Sequence, residues 1–344
     1  MKKRTSPNII DVARHAGVSP ATVSRVLSKK DLVRTETKTR VLAAMDELNY
    51  EPDSYGGRRA RKTGTIAVVI PELTDQFFAI LIKGISDEGR LHGYSLLLYN
   101  TDNSPDLETE VLATALDKEI DGIIIVPSDD DPELVGLFEE RNVHYVFLDR
   151  VVSKEDIPSV VSDDEEGAYQ ATKYLLDLGH REILYIGGET RLSTERNRLK
   201  GFKRALADHE LSLNTRLIRE CSFHYEEGYE ETLAILEDGY PFTAIFAASD
   251  LIAFGAKAAV EKQGLSIPND ISLVGYGDIP SSQFVSLTTV SNPSYEMGKS
   301  AFRLLLDYIE NRLETPKQIV LRPSVVFRST CNRKRSSKLL ISVA

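Results

Sequence analysis

The sequence has few of the features that mark secreted, membrane-spanning or metal-binding proteins. Its two cysteines, Cys221 and Cys331, form no C-x-x-C pair and indicate no disulfide framework. No apolar run approaches the roughly 20 residues of a membrane span, and the N-terminus lacks the apolar stretch of a signal peptide. We therefore expect a cytoplasmic protein of about two or three globular domains that does not bind a membrane.

Motifs of the common enzyme classes are also missing from the sequence. There is no G-x-x-x-x-G-K-[ST] phosphate loop and no G-x-S-x-G elbow, and the 6 histidines show no metal-ligand pairing at i, i+4. The acidic run 129–131 could bind a cation, but it precedes Pro132 and is more typical of a solvated turn that starts a helix. These absences argue against an enzyme, and we predict no catalytic residue, no metal and no cofactor.

Charge is distributed unevenly along the chain. Residues 1–62 contain 14 Lys and Arg against 7 Asp and Glu, a net charge of +7. Because the whole chain has a net charge of −10, the remaining residues carry a net charge of −17. A basic end suits contact with DNA phosphates, whereas an acidic body repels them. The change of sign therefore predicts a domain boundary, with DNA binding confined to the N-terminal part.

Residues 8–27, NIIDVARHAGVSPATVSRVL, predict two short helices joined by a glycine turn. Asn8 can cap the first helix, Gly17 supplies the turn, and Ser19 with Pro20 suits the start of the second helix. Such a second helix can enter the major groove, where Arg25 would bind guanine. On this pattern alone, an ordinary helical hairpin with a solvated Arg25 remains the alternative. Including the flanking and linker positions, the predicted DNA-binding residues are Asn8, Ser19, Pro20, Ala21, Thr22, Ser24, Arg25, Asn49, Arg58 and Arg59.

A third helix over residues 35–49 would complete a helix-turn-helix domain at 1–51, and residues 52–64 form a basic linker. From residue 65, short apolar strands alternate with amphipathic helices, which indicates parallel sheets built from βαβ units. The alternation restarts near residue 163. We predict a core at 65–330 with lobe 1 at about 65–162 and 290–330, which includes both closing strands, and lobe 2 at about 163–289; a basic tail follows at 331–344.

The residues just after these strands predict a ligand-binding cleft, because ligands of open α/β sheets bind beyond the carboxyl ends of the strands. Aromatic side chains there occur with carboxylates, arginines and hydroxyls, a combination that suits a polyhydroxylated ligand such as a sugar or nucleoside. The candidate effector-binding residues are Asp75, Phe77, Phe78, Asp149, Arg150, Arg198, Phe223, Ser249, Gly277 and Asp278. Taken one at a time, Phe77 and Phe78 could be core residues, and Asp149 and Arg150 a surface pair.

The run D-V-A-x-x-A-G-V-S-x-x-T-V-S-R-V-L at 11–27, with L-N-Y-x-P at 48–52, resembles the signature of the lac repressor (LacI/GalR) family. The resemblance covers essentially the whole chain and implies an α/β fold with a three-helix head, a hinge linker and two doubly wound lobes of periplasmic-binding-protein type. In that family the linker folds into a minor-groove helix on the operator. Gly56 and Arg59 depart from this pattern, so a basic tether is the alternative. In the cleft, Ser249 and Gly277 depart from the usual Asn and Asp, and Asp278 lies one position late.

We therefore predict a transcription regulator, a repressor, that binds a double-stranded DNA operator and responds to a sugar, sugar phosphate or nucleoside. The tail 331–344 has no leucine heptads, so a homodimer is the expected assembly. Two other classes share the two-lobed fold. An enzyme lacks support from the motifs, and a sugar-binding transport protein is disfavoured by the basic head and the missing export signal.

Overall fold

The computed structural model describes residues 9–27, 33–48, 62–313 and 315–334, which divide into two compact units at Thr63/Gly64. The N-terminal unit contains three helices, α1 (Ile9–Ala16), α2 (Pro20–Leu27) and α3 (Thr35–Glu47). They pack around a small apolar core that includes Val12, Val23 and Val41, all fully buried. Apolar residues at helical spacing, such as Val41, Ala44 and Met45 in α3, direct one face of each helix inward, as the sequence predicts.

The C-terminal unit is an alternating α/β structure. Its strands are β1 (Thr65–Ile70), β2 (Ser95–Asn100), β3 (Gly122–Ile125), β4 (His144–Leu148), β5 (Ser159–Ser162), β6 (Ile183–Gly187), β7 (Ile218–Glu220), β8 (Ala244–Ala247), β9 (Ser272–Gly277), β10 (Thr288–Ser291), β11 (Gln318–Leu321) and β12 (Ser324–Val326). Its α-helices are α4 (Gln76–Leu91), α5 (Pro105–Leu116), α6 (Glu133–Glu140), α7 (Asp164–Asp177), α8 (Ser193–Asp208), α9 (Tyr225–Glu237), α10 (Asp250–Lys262), α11 (Pro280–Phe284) and α12 (Ser294–Ile309). None of the helices in the described ranges is long and apolar enough to cross a membrane.

The strands form two six-stranded sheets with the same order of connections. The first sheet has the order β2-β1-β3-β4-β5-β11 and the second β7-β6-β8-β9-β10-β12. All pairs are parallel except β10 with β12, which is antiparallel. Parallel strands covered by helices on both faces are apolar along their whole length, and β1 accordingly has five consecutive buried residues. The two doubly wound lobes predicted from the alternation are confirmed.

Helices cover both faces of each sheet, and some pack with their backbones in contact. On the first sheet, α4 lies against α12, where Gly84 and Gly298 face each other's helix. A Cβ atom at Gly298 would come within 2.1 Å of the Leu81 carbonyl oxygen, and one at Gly84 within 2.2 Å of the Tyr295 carbonyl oxygen. Glycine is therefore required at both positions for this close approach.

Three crossovers connect the lobes, at Asp163, at Asn292–Pro293 and at Arg322–Pro323. They are hydrogen-bonded to one another. The Ser162 hydroxyl donates to Asn292 Oδ1 at 3.0 Å, and the Asp163 N–H donates to the Leu321 carbonyl at 2.9 Å. Hydrogen bonds thus connect the three chain segments that cross between the lobes.

Two predictions about the C-terminal residues are wrong. The last strand, β12, joins the second sheet beside β10, so lobe 1 does not extend to residue 330. The first four residues of the predicted tail, 331–334, also belong to lobe 2, since the Asn332 N–H donates to Ser272 Oγ at 3.0 Å and the Lys334 N–H to the Leu178 carbonyl at 2.9 Å. After the third crossover, backbone hydrogen bonds to β10 and β9 hold the chain in lobe 2. Residues 335–344 lie outside the described ranges.

Candidate functional site

The N-terminal unit has the geometry of a helix-turn-helix. Gly17 adopts a φ of +63°, which only glycine accepts readily, and it ends α1. The Ser19 hydroxyl accepts the Thr22 N–H at 3.2 Å and so caps α2, with the exposed ring of Pro20 at the first helical position. Arg25 is exposed on the following turn. The predicted turn, cap and outward arginine are all present.

Several predicted DNA-binding residues cannot be placed. Asn8, Asn49, Arg58 and Arg59 lie outside the described residues, as does the linker up to residue 61. For Ala21 and Ser24 the structure describes the helical backbone alone. DNA contact by these residues stays a prediction.

A cavity of about 500 Å³, including solvent at its mouth, lies between the two lobes of the C-terminal unit. The predicted residues that line it are Asp75, Phe77, Phe78, Asp149, Arg150, Arg198, Phe223, Ser249 and Gly277. The carboxyl ends of the parallel strands bring them together, because these strands in both lobes end facing the other lobe.

Asp149 follows β4 with an unusual backbone. Its φ is +65°, a left-handed conformation that aspartate tolerates better than most residues, and its N–H is held by the Val160 carbonyl at 2.9 Å. The side chain is 5% exposed, and burial raises the pKa of its carboxyl to about 7. Its Oδ1 atom is buried without a hydrogen-bond partner among the described residues. A buried unpaired acceptor is costly, which favours a ligand that donates to it.

Arg198, from α8, is the central cation of the site. Its Nε donates to Asp164 Oδ1 at 3.1 Å and one terminal nitrogen donates to the Ala248 carbonyl at 2.8 Å. The guanidinium carbon lies 4.1 Å from the centre of the Tyr276 ring. The carboxylate of Asp164 and its neighbours raise the pKa of Arg198 despite its burial. Arg198 is therefore a fixed, permanently charged part of the wall.

Arg150 is the second buried cation. One of its terminal nitrogens donates to Asn103 Oδ1 at 2.7 Å and to the Pro127 carbonyl at 3.2 Å. Burial lowers the pKa of Arg150 to about 10, so the guanidinium stays charged at neutral pH. Its buried Nε has no hydrogen-bond partner within the described ranges.

Asp278 does not line the cavity, contrary to the sequence-based placement. Its carboxylate accepts a hydrogen bond from Arg328 at 2.6 Å. The reason is the backbone at Gly277, whose φ of +132° turns the chain so that the next side chain points away. The cavity is also lined by Thr194, Asp250, Leu251, Tyr276, Ile279 and Asn292. Asn292 follows β10 directly, so the same strand-end rule would have found it.

The lobes are hydrogen-bonded to each other at the rims of the cavity. Gln76, at the start of α4, donates from Nε2 to Ser281 Oγ at 2.7 Å and accepts the Ser281 N–H at 3.1 Å. At another point Arg196 donates to Asp130 at 2.7 Å. The structure thus represents lobes closed over the cavity.

Comparisons with known proteins agree over nearly the whole chain. Residues 8–53 match the model of bacterial regulatory proteins of the lacI family, and residues 63–331 match that of periplasmic binding proteins and the sugar-binding domain of the LacI family. The ribose operon repressor of Halalkalibacterium halodurans is 37% identical over 91% of this chain and 96% of its own length. The transcriptional repressor PurR of Yersinia enterocolitica is 34% identical over 93% of this chain and 95% of its own length.

Comparisons with solved structures also match this chain to transcription regulators. A complex of the transcriptional regulator CelR with cellobiose matches with a TM-score of 0.74 at 28% identity, over 94% of this chain and 99% of that one. The lac repressor dimer bound to operator and an anti-inducer matches with a TM-score of 0.72 at 28% identity, over 95% of this chain and 100% of that one. These relatives are regulators rather than enzymes. With its helix-turn-helix and its two-lobed core, this chain belongs to the LacI family and is a DNA-binding transcription regulator.

Proposed function

We propose that this protein is a homodimeric repressor whose affinity for its operator is set by a small polyhydroxylated effector bound between the lobes. The observation that carries the proposal is the cavity itself, which is lined by the Phe77 and Phe223 rings together with Asp149 and Arg150, two residues that each have a buried side-chain atom without a hydrogen-bond partner among the described residues. Hydroxyl groups can satisfy both atoms, and aromatic faces suit sugar or nucleoside rings. The repressor acts in the cytoplasm, where its operator lies.

For the DNA half of the mechanism, we propose that α2 lies in the major groove with Arg25 on a guanine. Its exposed side chain and the capped start of the helix support this role. The helix-turn-helix domain, residues 1–51, and the linker 52–64 supply the contacts, with the linker's Arg58 and Arg59 near the minor groove. The acidic core 65–330 binds the effector and the second protomer.

A homodimer is supported by apolar surface on the core. The edge strand β2 exposes Leu97 and Leu98, at 37% and 42%, and Leu91 at the end of α4 is 77% exposed. Phe284, in α11, is 88% exposed. A second copy that covers these side chains would bury them and would place two heads on a two-fold symmetric operator.

The DNA assignment is tested with an operator selected from random-sequence DNA by the full-length protein. Arg25→Ala is expected to weaken operator binding by about 1 to 3 kcal/mol, which is the cost of a lost bidentate guanine contact. Arg141→Ala is the control, because it removes the same charge from an exposed site on lobe 1. Fluorescence anisotropy at matched salt measures both variants. Equal affinities for Arg25→Ala and wild type would show that α2 does not bind the base edges.

The effector assignment is tested by thermal shift against sugars, nucleosides and their phosphate esters. A ligand at about one hundred times its Kd adds about 2.7 kcal/mol to the stability. Arg198→Met should abolish this shift, since the lining guanidinium is lost, while operator binding without effector is retained. A shift that survives in Arg198→Met would place the ligand outside the cavity.

A further inference from the structure

The acidic run 129–131 lies between β3 and α6 of lobe 1, and each of its carboxylates has a partner. Asp129 accepts the main-chain N–H of Asp130 at 2.7 Å, and Asp131 accepts a main-chain N–H at the start of α6 at 2.9 Å. The carboxylate of Asp130 accepts a hydrogen bond from Arg196 of lobe 2 at 2.7 Å. The central residue of the run thus contacts the opposite lobe.

Both members of this ion pair are oriented by bonds within their own lobes. One terminal nitrogen of Arg196 donates to the carbonyls of Thr190 and Arg191, at 3.2 and 2.6 Å, and the other donates to Asp130. Asp130 also accepts the N–H and the hydroxyl of Ser153. Partial burial acts to raise the pKa of Asp130, but the Ser153 bonds and the charge of Arg196 lower it overall. Such fixed side chains lose less entropy when they pair.

Arg191 brings a second cation to the same place. Its guanidinium donates to the Ser128 carbonyl of lobe 1 and lies 3.9 Å from the Asp129 carboxylate, while it is also bonded to Glu189 of its own lobe. The side chains of the two ion pairs between the lobes are between 18% and 40% exposed, so solvent and salt can reach them. We call these four residues the ionic contact: Asp129, Asp130, Arg191 and Arg196.

The ionic contact is continuous with the wall of the cavity. Arg196 is near the start of α8, the helix that contributes Arg198 to the cavity. On lobe 1, Arg150 lines the cavity and is followed by Val151, whose N–H donates to Ser193 Oγ of α8 at 3.0 Å. Attraction across the ionic contact therefore brings parts of the cavity wall from the two lobes together.

The other contact between the lobes is neutral. Gln76 and Ser281 form two hydrogen bonds with each other, and neither side chain is charged. Salt screens the attraction between charges, with a Debye length of about 10 Å at an ionic strength of about 0.1 M and about 3 Å at about 1 M. Salt should therefore weaken the ionic contact directly but not the bonds between Gln76 and Ser281.

We infer that Asp130 and Arg196 are positioning residues for effector binding: their ion pair holds α8, with Arg198, against lobe 1, and ionic strength sets how far the lobes are closed. Opening separates opposite charges, so low ionic strength favours the closed lobes. The consequence for affinity rests on the proposed function, because an effector that binds the closed lobes loses affinity in proportion to the open fraction of the protein.

Amide hydrogen exchange of the full-length, effector-free protein tests this inference. The reporter is the N–H of Ser281, which donates to Gln76 Oε1 across the neutral contact and should exchange when the lobes separate. We expect Arg196→Gln to speed this exchange about 1.5- to 5-fold at low salt, the range that corresponds to partly exposed ion pairs. Raising the ionic strength from about 0.05 M to about 0.5 M should speed it in wild type, and less so in Arg196→Gln.

Two further variants separate charge from local structure. Arg204→Gln is the matched control, because Arg204 is on the same helix but pairs with Glu165 and Glu166 of its own lobe. Exchange at Ser281 should remain as in wild type in this control. The double variant Asp130→Lys with Arg196→Glu reverses both charges, and it should recover slow exchange and the salt response that Arg196→Glu alone loses.

The outcomes are distinct. Exchange at Ser281 that responds neither to salt nor to Arg196→Gln would overturn the inference, and so would an equal effect of Arg204→Gln. Faster exchange confined to Val151, beside the ion pair, would also overturn it, because the pair would then hold only its immediate surroundings. No effector is needed for these measurements, so their result does not depend on whether the proposed effector function is correct.

Discussion

Asp149→Asn is expected to stabilise the effector-free protein, and more strongly at alkaline than at acidic pH. The carboxylate of Asp149 is buried, and its pKa is raised from 3.8 to about 7. The folded state therefore holds this proton more tightly than the unfolded state does, so the group lowers the free energy of unfolding as pH rises from about 4 to about 7. Asparagine has no such titration and tolerates the left-handed backbone at this position.

The size of the effect follows from the shift. One pKa unit corresponds to about 1.4 kcal/mol, so the full penalty is about 4 kcal/mol, of which about 2 to 3 kcal/mol develops between pH 5 and pH 8. Urea unfolding followed by tyrosine fluorescence measures wild type and variant at these two pH values. The stability difference between the two proteins should increase by that amount at the higher pH.

Asp278→Asn is the matched control for this experiment. Asp278 also has a positive φ, of +53°, but its carboxylate is bonded to Arg328 rather than left without a partner. The control should be less stable than wild type, because it loses an ion pair. If the advantage of Asp149→Asn were the same at both pH values, or larger in acid, the Asp149 carboxylate would not be penalised by burial and the reasoning would fail.

Two further predictions concern packing and closure. Gly298→Ala should destabilise the core by about 1 to 3 kcal/mol in urea unfolding, because its Cβ would lie 2.1 Å from a carbonyl oxygen of α4; Gly136→Ala, in α6 with no atom within 4 Å, should instead stabilise by up to about 1 kcal/mol. An equal response at the two glycines would contradict the close packing. Gln76→Ala removes two hydrogen bonds to Ser281 across the lobes, each contributing about 0.5 to 1.5 kcal/mol. Effector affinity should therefore fall by roughly 5- to 150-fold, and the effector-free radius of gyration should increase in X-ray scattering. Unchanged values would mean that these bonds do not hold the lobes closed.

The sequence alone predicts most of the fold because buried parallel strands are apolar throughout. The run at β1, TIAVVI, is an example. Asp75 and Asp149 follow such strands, and the rule that ligands bind beyond the carboxyl ends of the strands predicts both as cavity residues. Asn292 was missed because β10 is rich in threonine and is a weaker strand signal. The three residues of β12 carry no information about which sheet they join, since that choice depends on pairing with distant β10.

The direction in which a side chain points was harder to predict than the position of its residue in the fold. Asp278 lies at the correct end of β9, yet its side chain points to Arg328, because a single backbone angle at Gly277 decides where the next Cβ points. The partners of Arg198, Asp164 and the Ala248 carbonyl, are also far away in sequence and are brought together only by the folded lobes. Charge compensation inside the cavity therefore depends on contacts that form only in the folded protein.

The hydrogen bonds that tie the three crossovers together have a mechanical consequence. Segments linked in this way are expected to move together, so we expect the lobes to rotate relative to each other about the region of Ser162 and Asn292. Each ligand would then act by changing the angle between the two lobes, whatever its chemical identity. Substitutions in the cavity wall should change which compounds the protein detects, whereas a substitution at Ser162 should change the amplitude of the response to every compound alike. Asn292 belongs to both sets, because it lines the cavity and accepts the Ser162 hydroxyl, so a substitution there should change both the choice of compound and the amplitude.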